Sequence, residues 1–297
     1  MISDFLLHFL IGSMVMTALW SAASLILVKL VRLHSPTARF LVFLAPLVAA
    51  FVARARLSST MMRETVAICF AVAILLLCRD LYRYHTFRRR IEAEAEPSAD
   101  LQRVVDGLAR SFEISAPRVL LSKDSSVSPF TGGLTRPFIV VPRSILSALS
   151  AEEVNLLLAH EMAHVRRKDI LWKWLILFLR HLSILNPAAS WSYRQLNLEI
   201  ERGCDRSAIS VTRKPGTLAR TLLKVEEFLS QMSPSADQYI PETISRAGSY
   251  LPLRIQSLNS LHDRAGLWAN LAKLGFIFFM FRLICFQPVE LWLKFLK

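Results

Sequence analysis

The hydrophobic positions of this chain follow two regimes: long unbroken runs near the ends, and shorter runs between polar residues in the middle. Residues 5 to 31 hold only His8 and Lys29 as ionisable groups, which predicts a bilayer span, since a span needs about 20 apolar residues. Runs at Phe40 to Ala53, broken by Pro46, and at Thr65 to Cys78, extendable through Leu81 and Tyr82, predict two further spans packed on small residues. A fourth run, Leu267 to Phe286, carries Lys273 and Arg282, so it reads as a C-terminal span, with an amphipathic interfacial helix as the alternative.

Between these runs the pattern changes. DLQRVVDGLARSF places Leu101, Val104, Val105, Leu108 and Phe112 at helical spacing. RVLLS and FIVVP read as two strands separated by SPFTGGLTRP, whose glycines and prolines mark a turn. Ser150 and Glu153 form a capping-box pattern that opens a helix through VNLLLAHEMAH. The predicted organisation is a three-span membrane region over 1–83, a water-facing α+β domain over 84–264 with an apolar membrane-proximal helix near 170–185, and a C-terminal span within 265–297.

Composition sharpens this picture. A hydrophobic share of 53% is more than soluble chains usually carry. The net charge of +13 comes largely from arginines and lysines beside the apolar runs, such as Arg88, Arg89 and Arg90, which suits membrane anchoring rather than direct nucleic-acid binding. Lys29, Arg32, Arg39, Arg79 and Arg83 set the orientation, with the N-terminus outside and the central domain in the cytosol, as in a bacterial-type inner (cytoplasmic) membrane; Arg54, Arg56 and Arg63 oppose it. The four cysteines lack paired spacing and read as reduced packing residues.

The chemistry concentrates in HEMAH. His160 and His164, four apart on a helix, point two imidazoles to one side, and Glu161 is placed to reach a bound water. Zn2+ suits two such nitrogens and one carboxylate. The third ligand candidate is Glu201 in LEIERGCDRSA, where Asp205, one turn on, can orient a ligand histidine from behind. Ordinary solvated pairing among Glu199, Glu201, Arg202, Asp205 and Arg206 is the plainer alternative.

HEMAHVRRKD, LNPAASW and EIERGCDRSA, preceded by SPFTGGLTRPFIVVP and LSAEEVNLLLAH, resemble the BlaR/MecR type of antirepressor membrane metallopeptidase, metallopeptidase family fifty-six, over roughly residues 115 to 260. HtpX-like peptidases share HExxH and a later ExxxD, while Gly203-Cys204 and Asn186-Pro187 favour the BlaR/MecR type. The resemblance implies a gluzincin-type fold, His160, His164 and Glu201 as zinc ligands, and an edge between Val127 and Val141 on which an extended substrate lies. It implies Glu161 as the general base, which takes a proton from water and delivers it to the leaving amine while zinc supplies Lewis acidity. Asp169 matches an acidic position with a structural role.

Two departures qualify the resemblance. BlaR/MecR transducers carry a penicillin-binding sensor domain after the last span, whereas here Lys297 follows closely and no SxxK pattern occurs, so β-lactam sensing is not inferred from the resemblance. Leu218 stands where an aromatic is expected, leaving the oxyanion-stabilising group open among Tyr193, Arg194, His181 and Arg202. The reading is thus a zinc endopeptidase that cuts a protein, a DNA-binding repressor or itself, in signal transduction. An HtpX-like quality-control peptidase and a catalytically silent receptor or scaffold are the alternatives. Its expected partners are the protein substrate, the lipid bilayer and, as an open arrangement, a second copy in a homodimer.

Overall fold

The computed structural model describes residues 21–26, 28, 35–44, 60–124, 127–183, 187–231 and 250–259. Short helical segments lie within 21–28 and 36–44. From there the order is α1 (Thr60–Glu94), β1 (Glu96–Pro97), α2 (Ala99–Phe112), β2 (Arg118–Ser122), β3 (Phe130–Gly132), β4 (Phe138–Pro142), α3 (Arg143–Leu146), α4 (Ala151–Arg167), α5 (Asp169–Leu182), α6 (Pro187–Thr212), α7 (Pro215–Gln231) and α8 (Leu251–Asn259).

The sheet has the order β1-β2-β4-β3. β2 and β4 pair in parallel, with Val119 opposite Ile139 and Leu121 opposite Val141, and β1 and β3 add antiparallel at the two edges. The expected turn SPFTGGLTRP therefore contains a strand, and the predicted substrate edge narrows to β3, because β4 is paired on both sides. Gly133, just after β3, adopts φ 77, where a Cβ would strike the Arg136 carbonyl; only glycine takes this turn without strain.

Both faces of the sheet are covered, which explains why all five positions of β4 are buried. Val119, Ile139 and Val141 pack with Leu101, Val105 and Phe112 of α2 and with Leu156 to Ala159 of α4. Leu120, Phe138 and Val140 face the other way, onto Ile91 and Phe87 of α1. Strand periodicity of two thus feeds two separate cores. A third cluster joins Phe40 and Phe43 to Ile176 of α5 and to Ala189, Leu196 and Ile200 of α6.

The first and fourth expected spans and most of the second lie largely or wholly outside the described residues. The third falls within α1. Among the described residues no helix is long and apolar enough to cross a membrane, and the run in α1 is closed by Arg79 and Asp80, the latter buried beside His181 at 2.9 Å.

Candidate metal centre

α4 begins with Ser150 accepting from the Glu153 amide while Glu153 accepts from the Ser150 amide. This box satisfies two amides that the first helical turn leaves without partners. From that fixed start, Leu157, His160, Glu161 and His164 recur along one face. Lys168 ends the helix in the left-handed region, φ 53, and turns the chain so that Asp169, the first residue of α5, folds back onto α4.

α6 crosses α4 and delivers Glu201, Cys204 and Asp205. The Nε2 atoms of His160 and His164 lie 3.4 and 3.7 Å from the two carboxylate oxygens of Glu201, and the imidazoles stand nearly perpendicular with centroids 4.9 Å apart. Two ligands of a tetrahedral zinc, each about 2.0–2.1 Å from the ion, are themselves about 3.3 Å apart, so these separations fit one ion. The opposite nitrogens fit as well. His164 Nδ1 donates to Asp169 at 2.9 Å, and His160 Nδ1 lies 3.0 Å from Asp205 Oδ1. The Asp169 bond fixes the His164 tautomer that turns Nε2 towards an ion, and the Asp205 charge behind His160 Nδ1 favours the same tautomer there.

The electrostatics are those of a buried, mutually compensated cluster. Burial opposes charge on His160, but Asp205 and Glu201 outweigh it and raise its pKa to about 9. Burial would raise Glu201, yet His164, Lys173 and His160 hold it well below the usual carboxylate range. Asp205, also buried, is brought to about 2 by Arg254 and His160. Arg254 of α8 binds Asp205 at two points, 2.6 and 2.8 Å, and lies 3.5 Å from Glu201, while Lys173 of α5 lies 3.5 Å from the other Glu201 oxygen.

Glu161 is buried beside the cluster, where Thr131 Oγ1 of β3 lies 2.7 Å from Oε2 and 3.2 Å from the Glu161 carbonyl oxygen. The edge strand is thereby tied to the proposed base. A cavity of about 470 Å³ opens here, lined by Tyr84, β3 and the turn after it, the metal-centre residues, and one face each of α7 and α8.

The residues His160, Glu161, His164, Glu201, Asp205 and Asp169, singled out in the sequence, meet at this one place. The oxyanion candidates do not. Among them, His181 pairs with Asp80, Tyr193 stacks on Arg180, Arg202 binds Glu199 and the Leu253 carbonyl, and none of the four, Arg194 included, lines the cavity.

Three residues packed around the histidines and Glu201 were not singled out in the sequence. Cys204, taken as a packing residue, has its Sγ 2.9 Å from Asp169 and 3.2 Å from His164 Nδ1. Burial, then the Asp169 charge, push its thiol well up, so it stays protonated and donates. Lys173 was masked by the apolar run around it. Arg254 was masked by the leucine spacing of α8, a helix that buries this arginine while leaving Leu253 41% exposed. Gly203 is small for a visible reason, because a Cβ there would fall 2.3 Å from the Arg167 guanidinium, which donates to Asp169.

The profile of the BlaR1 peptidase M56 family matches residues 49–246. The chain is 33% identical to regulatory protein BlaR1 of Bacillus licheniformis over 98 residues, 33% of this chain and 16% of that one. It is 23% identical to the methicillin resistance mecR1 protein of Staphylococcus aureus (strain Mu50) over 171 residues, 56% and 29% of the two chains. It is also 28% identical to a protease HtpX homolog of Thermococcus sibiricus over 167 residues, 56% and 53%. The chain thus spans less than a third of the BlaR1 and mecR1 proteins it matches.

Proposed function

Because the chain belongs to the BlaR1 peptidase M56 family, we propose that it is a zinc-dependent membrane endopeptidase that cuts a protein, a DNA-binding repressor or itself, to relay a signal. The observation that carries this reading is the convergence of His160, His164 and Glu201 on one point with Glu161 beside them, each imidazole backed by a carboxylate. When bound there by these three side chains, zinc would supply Lewis acidity for attack on a peptide carbonyl.

The chain's own residues account for the rest of the chemistry. Glu161, half-committed to Thr131, has a second carboxylate oxygen with which to take a proton from the attacking water and hand it to the leaving amine. β3, a sheet edge on the cavity wall, offers backbone groups to an extended peptide, which it aligns by strand addition. The buried setting strengthens every charge interaction around the reacting bond. Lys173 and Arg254, positive groups in the same cavity, stand where Glu201 and Asp205 would otherwise leave excess negative charge.

An HtpX-like quality-control role is the second reading, favoured by the fuller coverage of the HtpX homologs, up to 72% of the one from Persephonella marina. Both are tested by expressing the full chain and its Glu161→Gln variant in bacterial membranes and mapping new protein N-termini. Fragments of a repressor or of the chain itself, seen only with Glu161, support signalling; fragments of misfolded membrane proteins support quality control; identical fragments from both overturn the peptidase reading.

A further inference from the structure

Along α7, Leu222, Val225, Glu226 and Leu229 recur at the three- and four-residue spacing of one helix face, and all line the cavity. Leu157, one turn before His160, and Leu251, one turn before Arg254, line it too. This arm of the cavity therefore starts about one helical turn, roughly 5.4 Å of rise, from the metal centre. Of these six residues five are aliphatic and one is a carboxylate. Glu226 is half-buried and, among the described residues, makes no hydrogen bond or ion pair.

The other acids of the cavity are committed: Glu161 to Thr131, Asp169 to His164 and Arg167, and Glu201 to the histidines, Lys173 and Arg254. Of the cations there, Arg254 and Lys173 face Glu201 or Asp205, and Arg166 and Lys168 are exposed. A half-buried carboxylate has lost hydration that a cation can replace. Aliphatic walls leading up to it suit a long apolar stem with a charged end, which is the shape of lysine and arginine.

We propose that Glu226 makes this arm a subsite for a lysine or arginine side chain of the substrate, next to the bond that is cut. The position next to the cut bond rests on the peptidase reading; the binding preference rests on the cavity alone. The full-length Glu161→Gln protein in detergent micelles is titrated with fluorescent decapeptide pools, acetylated at the N-terminus and amidated at the C-terminus, with neutral flanks and one central lysine, norleucine or glutamate. The lysine pool binds about fivefold more tightly than the norleucine pool, the upper range for a part-exposed ion pair. Adding Glu226→Gln abolishes the difference, and Glu226→Lys turns the preference towards the glutamate pool. Equal binding of the lysine and norleucine pools, or a preference unchanged by Glu226→Gln, overturns the proposal. So does a preference seen only when the acetyl group is omitted, since the cation recognised would then be the chain terminus. If the preference holds while the wild-type chain cuts none of the pools at any position, the subsite stands and the peptidase reading falls.

Discussion

Asp205 and Arg254 form a two-point ion pair, 2.6 and 2.8 Å, sealed between α6 and α8 directly behind His160. The pair allows a carboxylate to sit buried and ionised against the imidazole. Removing one member of such a pair strands the other, so Arg254→Met is expected to cost roughly 3–5 kcal/mol of stability. Denaturant unfolding of the metal-free full chain reads this loss; a change below about 1 kcal/mol would mean that Asp205 is not dependent on Arg254.

Asp205→Asn keeps the shape and removes the charge behind His160 Nδ1. Zinc affinity, measured by competition with a chromophoric chelator, is expected to fall about 10–100-fold, the usual effect of losing such a group. Asp169→Asn acts in the same direction through His164. Unchanged affinity in both would show that the carboxylates serve packing alone.

His160 gives the centre a pH dependence whose sign follows from its raised pKa. Without metal, the stability it contributes is fully present below its ordinary value of 6.5 and is lost as pH rises through about 9. A metal must displace that proton, so zinc affinity increases by about tenfold per pH unit on approaching pH 9. Melting temperatures of the chelated and zinc-loaded chain should therefore diverge as pH is raised from 6.5 to 9. A constant gap would contradict this.

Most of α4 was legible because its signals are local. The capping box at Ser150 and Glu153 fixes the start of α4, and helical spacing then aligns His160, Glu161 and His164. Ser150→Ala is accordingly expected to cost about 1 kcal/mol, read from the unfolding midpoint. Glu201 and Asp205 were legible because they repeat that four-residue spacing on a second helix. Arg254, Lys173 and Thr131 were not, because each reaches the cluster only through tertiary placement: a buried arginine among leucines, a lysine in an apolar run, a threonine on a three-residue strand hidden in an expected turn. Residue pattern alone read β3 as a turn, because strand pairing with β4 is a long-range choice that three residues cannot announce, and only the family resemblance put an edge there.

His160, His164 and Glu201 are proposed to hold one zinc ion, and metal content is the most direct test. Full chain purified without chelator and dialysed against trace zinc is predicted to retain about one zinc per chain by elemental analysis, while Glu201→Gln, which keeps the size but loses the anionic ligand, retains less than about a tenth of that. Wild-type chain free of zinc, or a Glu201→Gln variant that holds as much as the wild type, would contradict the account.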